Sequence, residues 1–436
     1  MPEEPLTVAP ARAPWRKIFI TGGVQAYVVA TGAAMVVLTA RWLGPEGRGI
    51  MAAVVSWAST LSAFLHLSLG QVVVHQAAAA RDRDWLGPAV MSLVAVSTLL
   101  TLAAWAVAGG LFMATSGSAF GGLQSVAVSL GFLLLPLLIW EQYATCLLVS
   151  TGNLNQSNRA IVLGRSATVT FALVAWWLNL GVVACLVVMV VGHCVTVTSA
   201  MLGLWRTGQV QPRWEWASLR SLLVGGAKLH WNTVGDSVVW STSVLVVHHY
   251  LGATQTGFYQ TAQQIVLVFL AVPTAAGLVF YEGVAQLGLG RAWLQQRRAV
   301  LAIVVAMGLA ATVTAAVSPL VIPAILGVRF DGSVPILLAL LAAVPFLTLA
   351  KCVTPQWIAR GWFSALSGVR VVLGGIVLGG CFLLVPRFGA LGAAWSLAGG
   401  AFLAAFAHGW LVLQCEKDSR LHPDVATAST GGSRGS

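Results

Sequence analysis

Charge is what this sequence has least of. Its 436 residues include 24 basic and 13 acidic side chains, so 8% are charged, against about 25% in a soluble domain. A chain this long cannot cover a soluble fold with so few charges, and an ordinary soluble enzyme is excluded. Cysteine is also sparse. Cys146, Cys185, Cys194, Cys352, Cys381 and Cys415 form no CxxC pair and no metal-like spacing. All six lie in or at the ends of apolar runs, where a thiol serves as a small core side chain. No GxxxxGK[ST] stretch is present, so the chain does not hydrolyse ATP itself, and HExxH is missing too.

What fills the space is hydrocarbon. Apolar residues make up 58% of the chain, and the mean hydropathy is +0.85, so the absent polar skin is replaced by lipid-facing surface. A bilayer core takes roughly 20 apolar residues per helix, and twelve such runs are predicted, at about 18–41, 50–77, 87–113, 123–148, 158–179, 182–205, 223–250, 258–285, 297–322, 333–358, 364–385 and 390–414. Their length specifies helices, since barrel strands alternate every second residue. The first run follows Arg16-Lys17 but ends in no small-residue cleavage site, so it is expected as a permanent helix rather than a signal peptide.

The basic residues fix the topology. With the N-terminus inside, alternation leaves only Arg41, Arg48, Arg329 and Arg387 outside, and every other one of the 24 basic residues inside. This asymmetry is the positive-inside pattern, and it places both termini in the cytoplasm. It also accounts for the net charge of +11 without nucleic acid. The expected organisation is a tail at 1–17, six helices over 18–205, a linker at 206–222, six helices over 223–414 and a polar, Gly/Ser-rich tail at 415–436.

Three landmarks repeat. Leu43-Gly44 with Gly49 (LGPEGRG) returns as Leu251-Gly252 with Gly257 (LGATQTG), 208 residues later. Gly152 returns as Gly361, and Gly181 as Gly389, at the same place in the helix count. A tight turn between helices needs positive φ or close backbone approach, and glycine allows both. Two six-helix repeats enter the membrane in the same direction. They are therefore related by an axis along the membrane normal, with a substrate path between them.

The loops exclude other classes. Outside the membrane the only acids are Glu46 and Asp331, which is too little for an external catalytic domain. Asp82-Arg83-Asp84 has the form of a metal-binding DxD but reads as a solvated turn. His248-His249, at an outer helix end, reads as interfacial, and the many span-end tryptophans form an interfacial belt. A secondary transporter or lipid flippase remains.

Ionisable residues within spans cost about 2.5–3.5 kcal/mol each on insertion and mark function. Arg165 on the fifth run and Arg370 on the eleventh hold similar depths in the two repeats, and Lys228 on the seventh is comparable. Either the three snorkel to headgroups, or they face one cavity and suit a diphosphate, with Arg forking two oxygens. Asp236, about 12 Å deeper than Lys228 on the same helix, is too short to snorkel. It is either a site for a coupling proton or sodium ion or the partner of a nearby cation such as Lys228 or Arg165. Glu141 is similar but shallower. Asn232, Thr233, Ser237 and Ser241 mark a wet face on the seventh helix.

LGPEGRGIMAAVVSW, YLGATQTGFYQTAQQIV, QWIARGWFSALSGVRVVLGG and VPRFGALGAAWS resemble the polysaccharide biosynthesis flippases. These are oligosaccharide-lipid exporters related to the lipid II flippase and to the toxic-compound extrusion antiporters. The similarity spans about 18–414. It implies an all-helical membrane protein with twelve helices in two six-helix lobes, a central cationic cavity and alternating access. It further implies export of an undecaprenyl-diphosphate-linked repeat unit across a bacterial cytoplasmic membrane, beside a polymerase and glycosyltransferases. Where the family usually has Pro after the eighth helix, this chain has Tyr281-Glu282. The alternative reading is a cation-coupled drug antiporter, which calls for an acid-lined cavity. An integral glycosyltransferase would need an acid-bearing external domain.

Overall fold

The computed structural model describes residues 15–79, 82–206 and 210–421. The described residues form helices and turns, with no strand. Lipid cannot hydrogen-bond backbone, so a chain this apolar satisfies its amides within each segment. The helices are α1 (Trp15–Leu65), α2 (Leu69–Ala79), α3 (Leu86–Thr115), α4 (Ser125–Ser150), α5 (Leu154–Trp177), α6 (Val182–Trp205), α7 (Trp216–Ser237), α8 (Ser243–Leu287), α9 (Leu289–Leu326), α10 (Ser333–Leu341), α11 (Val344–Ala359), α12 (Phe363–Phe388) and α13 (Ala390–Leu421). Among the described residues nine helices are long and apolar enough to cross a membrane, or ten if α10 and α11, bent by 46°, make one span. The chain is a multi-pass membrane protein.

Two pairs of predicted runs, 18–41 with 50–77 and 223–250 with 258–285, are joined by sharp glycine kinks instead of loops. Gly44 (φ 66°, ψ −175°) breaks α1 and Gly252 (φ 74°, ψ −173°) breaks α8. These nearly identical conformations lie at the predicted offset and in a region that only glycine occupies readily. Gly152 and Gly361 also share positive φ.

Other breaks were not signalled. The run at 50–77 is interrupted at His66–Ser68, where Leu67 and Ser68 adopt positive φ. A π-helical turn, Val238–Thr242, joins α7 to α8. Helix α13 continues to Leu421 through residues expected as tail. There Glu416 accepts hydrogen bonds from Trp293 (2.9 Å) and Arg297 (2.9 Å), and Asp418 pairs with Arg360 at 2.8 Å. The expected tail segments 1–14 and 422–436 lie outside the described residues.

The first-half core gathers Leu69, Leu93, Leu135, Tyr143 and Leu147, and the second-half core gathers Tyr259, Phe330, Leu340, Val344 and Leu397. Outward-facing apolar side chains such as Leu301, Val305, Leu309 and Val313 recur every fourth residue on α9 and meet lipid. The break at His66–Ser68 is held by Tyr143, whose buried hydroxyl donates to the His66 carbonyl at 2.7 Å. Tyr143→Phe is expected to cost about 1 kcal/mol, the net worth of one buried hydrogen bond. A thermal melt in detergent measures it, and an unchanged midpoint would show that the bond carries no stability.

The most extensive contact between two elements joins α1 to α8, across the two halves of the chain. Its centre is the repeated motif. A Cβ on Gly49 would run into the Ala253 carbonyl oxygen, and a Cβ on Gly257 into the Pro45 carbonyl oxygen. Residues 45 and 253, and residues 49 and 257, are equivalent under the 208-residue offset, so each half presents the same glycine to the same position of the other. Arg41 and Arg48, exceptions to the charge asymmetry, are used here. Arg41 donates from Nε to the Ile325 carbonyl (2.7 Å) and from Nη2 to the Ala324 carbonyl (2.8 Å) at the end of α9. There a cation meets orphan carbonyls and the negative helix end.

Candidate functional site

Among the described residues two clusters of in-membrane charges stand out, one in each half. The second-half cluster is built on α7, α11, α12 and α13. Arg370 Nη1 donates to Asp236 Oδ1 at 2.6 Å. The arginine side chain is 11% exposed and the aspartate 35%. Lys351 and His408 line the same cavity with Trp240, Leu270 and Phe346. The charge of Lys351 acts on both members of the pair. The cavity holds about 20 Å³, space for about one water molecule. Close backbone packing places the pair: Gly235 sits against the Arg370 backbone and Gly374 against Val238, so α7 and α12 approach closely where the charges meet.

The first-half cluster is built on α4, α5 and α6. His193 Nδ1 and Glu141 Oε2 are 2.6 Å apart. Arg165 is exposed and close enough for its charge to act on Glu141. Tyr27 on α1 reaches the neighbouring Ser166 at 2.8 Å.

Of the residues singled out in the sequence, the structure joins Asp236 with Arg370 and places Arg165 within electrostatic reach of Glu141. It places Arg165 and Arg370 in separate clusters. Lys228 lies on α7, and its side chain is outside the described residues. Thr233 faces the first half, 3.4 Å from Ser68 Oγ. Buried oxygens of Asn232 and Ser237 have no protein partner among the described residues, and Ser241 is half-buried within the π-turn. Three contributors escaped sequence reading. His193 is a lone histidine in a run without charge, Lys351 is a single charge within the 333–358 run, and His408 is a lone histidine in the apolar 390–414 run. The available signal was simply a polar residue inside a span.

No group of three or more His, Cys, Asp or Glu side chains is arranged for a metal among the described residues. The surroundings of Asp236 do not suit a sodium ion while the pair is closed, since its single carboxylate already faces two cations and hard cations require several oxygen ligands. A larger cavity of about 460 Å³ lies along α6 between Gln156, Val191, Cys194, Leu202 and Arg206. None of its lining residues belongs to either cluster, and its walls are mainly apolar, as on a lipid-facing groove.

Among solved structures the chain is similar to the lipid II flippase MurJ in an inward closed conformation, with TM-score 0.73, 10% identity, 93% of this chain and 91% of that chain covered. It is also similar to an inward-facing multidrug resistance MATE family transporter of the MOP superfamily, with TM-score 0.66, 16% identity, 90% of this chain and 95% of that one covered. A third, a MOP superfamily transporter from Pyrococcus furiosus, is described as having a binding pocket of reverse polarity that suggests a different function. It gives TM-score 0.55 and 15% identity over 92% of this chain and 94% of that chain. These likenesses show the fold. No curated protein matches the sequence. The family model for polysaccharide biosynthesis proteins matches residues 15–279, more than half of the chain, and the protein belongs to that family.

Proposed function

We propose that the protein is a flippase, not an enzyme. It carries a polyprenyl-diphosphate-linked oligosaccharide, the repeat unit of a cell-surface polysaccharide, from the cytoplasmic to the outer leaflet of a bacterial cytoplasmic membrane. The observation that carries this reading is the charge balance of the two clusters. Asp236 stands against Arg370 and Lys351, and Glu141 against Arg165 and His193. A path for drug cations needs unpaired carboxylates. Here each described acid of the two clusters is matched or outnumbered, which favours an anionic substrate.

In this reading the halves 18–205 and 223–414, joined by 206–222, rock about the path between them. Arg165, Lys228 and Arg370 attract the diphosphate from the cytoplasmic side. The sugars occupy hydrated space along Glu141, Asn232, Thr233, Ser237 and Ser241, and the polyprenyl tail stays in lipid. A diphosphate carries more charge than one carboxylate and accepts the guanidinium fork at two oxygens, so it displaces Asp236 from Arg370. The released carboxylate is then free to take the coupling ion, a proton or a sodium ion, that drives the return of the carrier. Both termini are cytoplasmic, and a polymerase and glycosyltransferases supply and consume the cargo.

Proteoliposomes loaded with fluorescent undecaprenyl-diphosphate oligosaccharide test this. Glycan crossing is read with a membrane-impermeant quencher. The triple variant Arg165→Ala/Lys228→Ala/Arg370→Ala is expected to reduce crossing to the protein-free rate while the protein still inserts. Crossing at the unaltered rate refutes the binding assignment. The MATE-like fold motivates a second reading as a cation-coupled drug antiporter, and uptake of a lipophilic cationic dye in place of the glycan would favour it.

A further inference from the structure

Arg48, at the start of the second half of α1, is 1% exposed. Its guanidinium donates to five oxygens, all of them neutral. Nη1 donates to the Val36 carbonyl at 3.0 Å and to Thr39 Oγ1 at 2.7 Å, both on its own helix. Nε donates to Thr261 Oγ1 at 2.8 Å, and Nη2 to Gln260 Oε1 at 3.1 Å and to Gln264 Oε1, all on α8. A buried charge without a counter-ion is costly, and a bridge between neutral oxygens needs no charge. The positive charge moreover stands on the side where the sequence pattern avoids it.

The division of its donors is informative. One edge of the guanidinium, Nη1, is tied to the first half. The other, Nε with Nη2, is tied to the second half across the glycine contact. Nε and Nη2 form the edge that forks two oxygens of a phosphate. When α1 and α8 part, that edge loses its three acceptors together, while Nη1 keeps Val36 and Thr39 and holds the group aimed into the opening. We infer that Arg48 is an anion-binding residue at the outer end of the path, hidden while the halves touch and presented when they separate, where it takes oxygens of the substrate's diphosphate. This rests on the flippase reading and adds a second cationic station beyond Arg165, Lys228 and Arg370. It gives the headgroup a reason to move outward, since each opening exposes a new cation on the side being opened.

The test uses the full chain in lipid nanodiscs with phenylglyoxal, which modifies exposed arginine, read by mass spectrometry. Gly257→Ala, and independently Gly49→Ala, put a Cβ against the opposite backbone and wedge the contact apart. Spin labels on α1 and α8 report the separation. Modification of Arg48 is expected to be slow in the unaltered protein and about tenfold faster in either wedged variant, as for a group uncovered by opening. Inorganic pyrophosphate and undecaprenyl diphosphate should each return the rate towards the unaltered value. Faster modification that neither anion slows overturns the inference, and so does a contact that stays closed, or an Arg48 that stays unreactive, in both variants. Protection by pyrophosphate without protection by undecaprenyl diphosphate leaves the anion station standing and removes the lipid-linked substrate instead.

Discussion

Asp236→Asn is expected to destabilise the protein by about 2–3 kcal/mol, and Arg370→Gln by about half as much. Removing one member of a buried ion pair costs about 3–5 kcal/mol, and the partial exposure of Asp236 lowers that figure here. The two substitutions are unequal because a third charge is present. Without Asp236, the guanidinium of Arg370 and the ammonium of Lys351 share one small cavity with no negative charge between them. Without Arg370, Lys351 remains to compensate the carboxylate. The double variant should be less destabilised than the sum of the singles, since each substitution removes part of what the other leaves uncompensated. Midpoints of thermal melts in detergent give the ranking, and an Arg370→Gln protein less stable than Asp236→Asn would show that Lys351 does not act on the pair. On the proposed mechanism the same Asp236→Asn protein binds undecaprenyl diphosphate more tightly and carries it more slowly. Its Arg370 has no internal competitor to draw it back.

How much of this was written in the sequence varies with the range of the interaction. Run length exposed the membrane class because each lipid-facing helix must be apolar along its own length. The repeated LG-x-x-x-x-G motif exposed the contact between halves because glycine leaves a mark wherever backbone must bend or touch. The break at His66–Ser68 left no such mark: its turn uses Leu67 and Ser68 in positive φ, tolerated because Tyr143 and the packing around it hold the carbonyl. The π-turn at Val238–Thr242 changes the register of α7 by inserting one residue, which alters no composition. Pairings were the least legible. Asp236 finds Arg370 at a separation of 134 residues, and Glu141 finds His193 on a different helix. The sequence supplied the candidates but not their partners. Arg48 shows the opposite case. As one of four exceptions to the inside rule it was conspicuous, and its partners became visible only with α8 beside it.

The glycines of the repeat should separate stability from opening. Gly44→Ala and Gly252→Ala meet no steric obstacle: the nearest atom to a Cβ at Gly44 is the far end of Arg329 at 3.9 Å, and at Gly252 there is none within 4 Å. Their cost is backbone strain, about 1–3 kcal/mol for a side chain forced into this φ/ψ region, with no clash that parting of the halves would relieve. These two variants should melt earlier while the distance between α1 and α8 stays unaltered. Gly49→Ala and Gly257→Ala have ordinary helical backbone, so they carry no such strain. Their Cβ atoms instead collide with carbonyls of the other half, and the collision disappears when the halves part. They should therefore shift the population towards separated halves, by a factor of about 10 for each 1.4 kcal/mol of clash relieved, with a smaller loss of melting temperature. Spin-label distances between α1 and α8 beside thermal melts give both quantities for all four proteins. Equal behaviour of the two pairs would mean that bending and touching are a single function of the motif. Opposite behaviour would make the second glycine of each repeat the point at which closing the outer side is set.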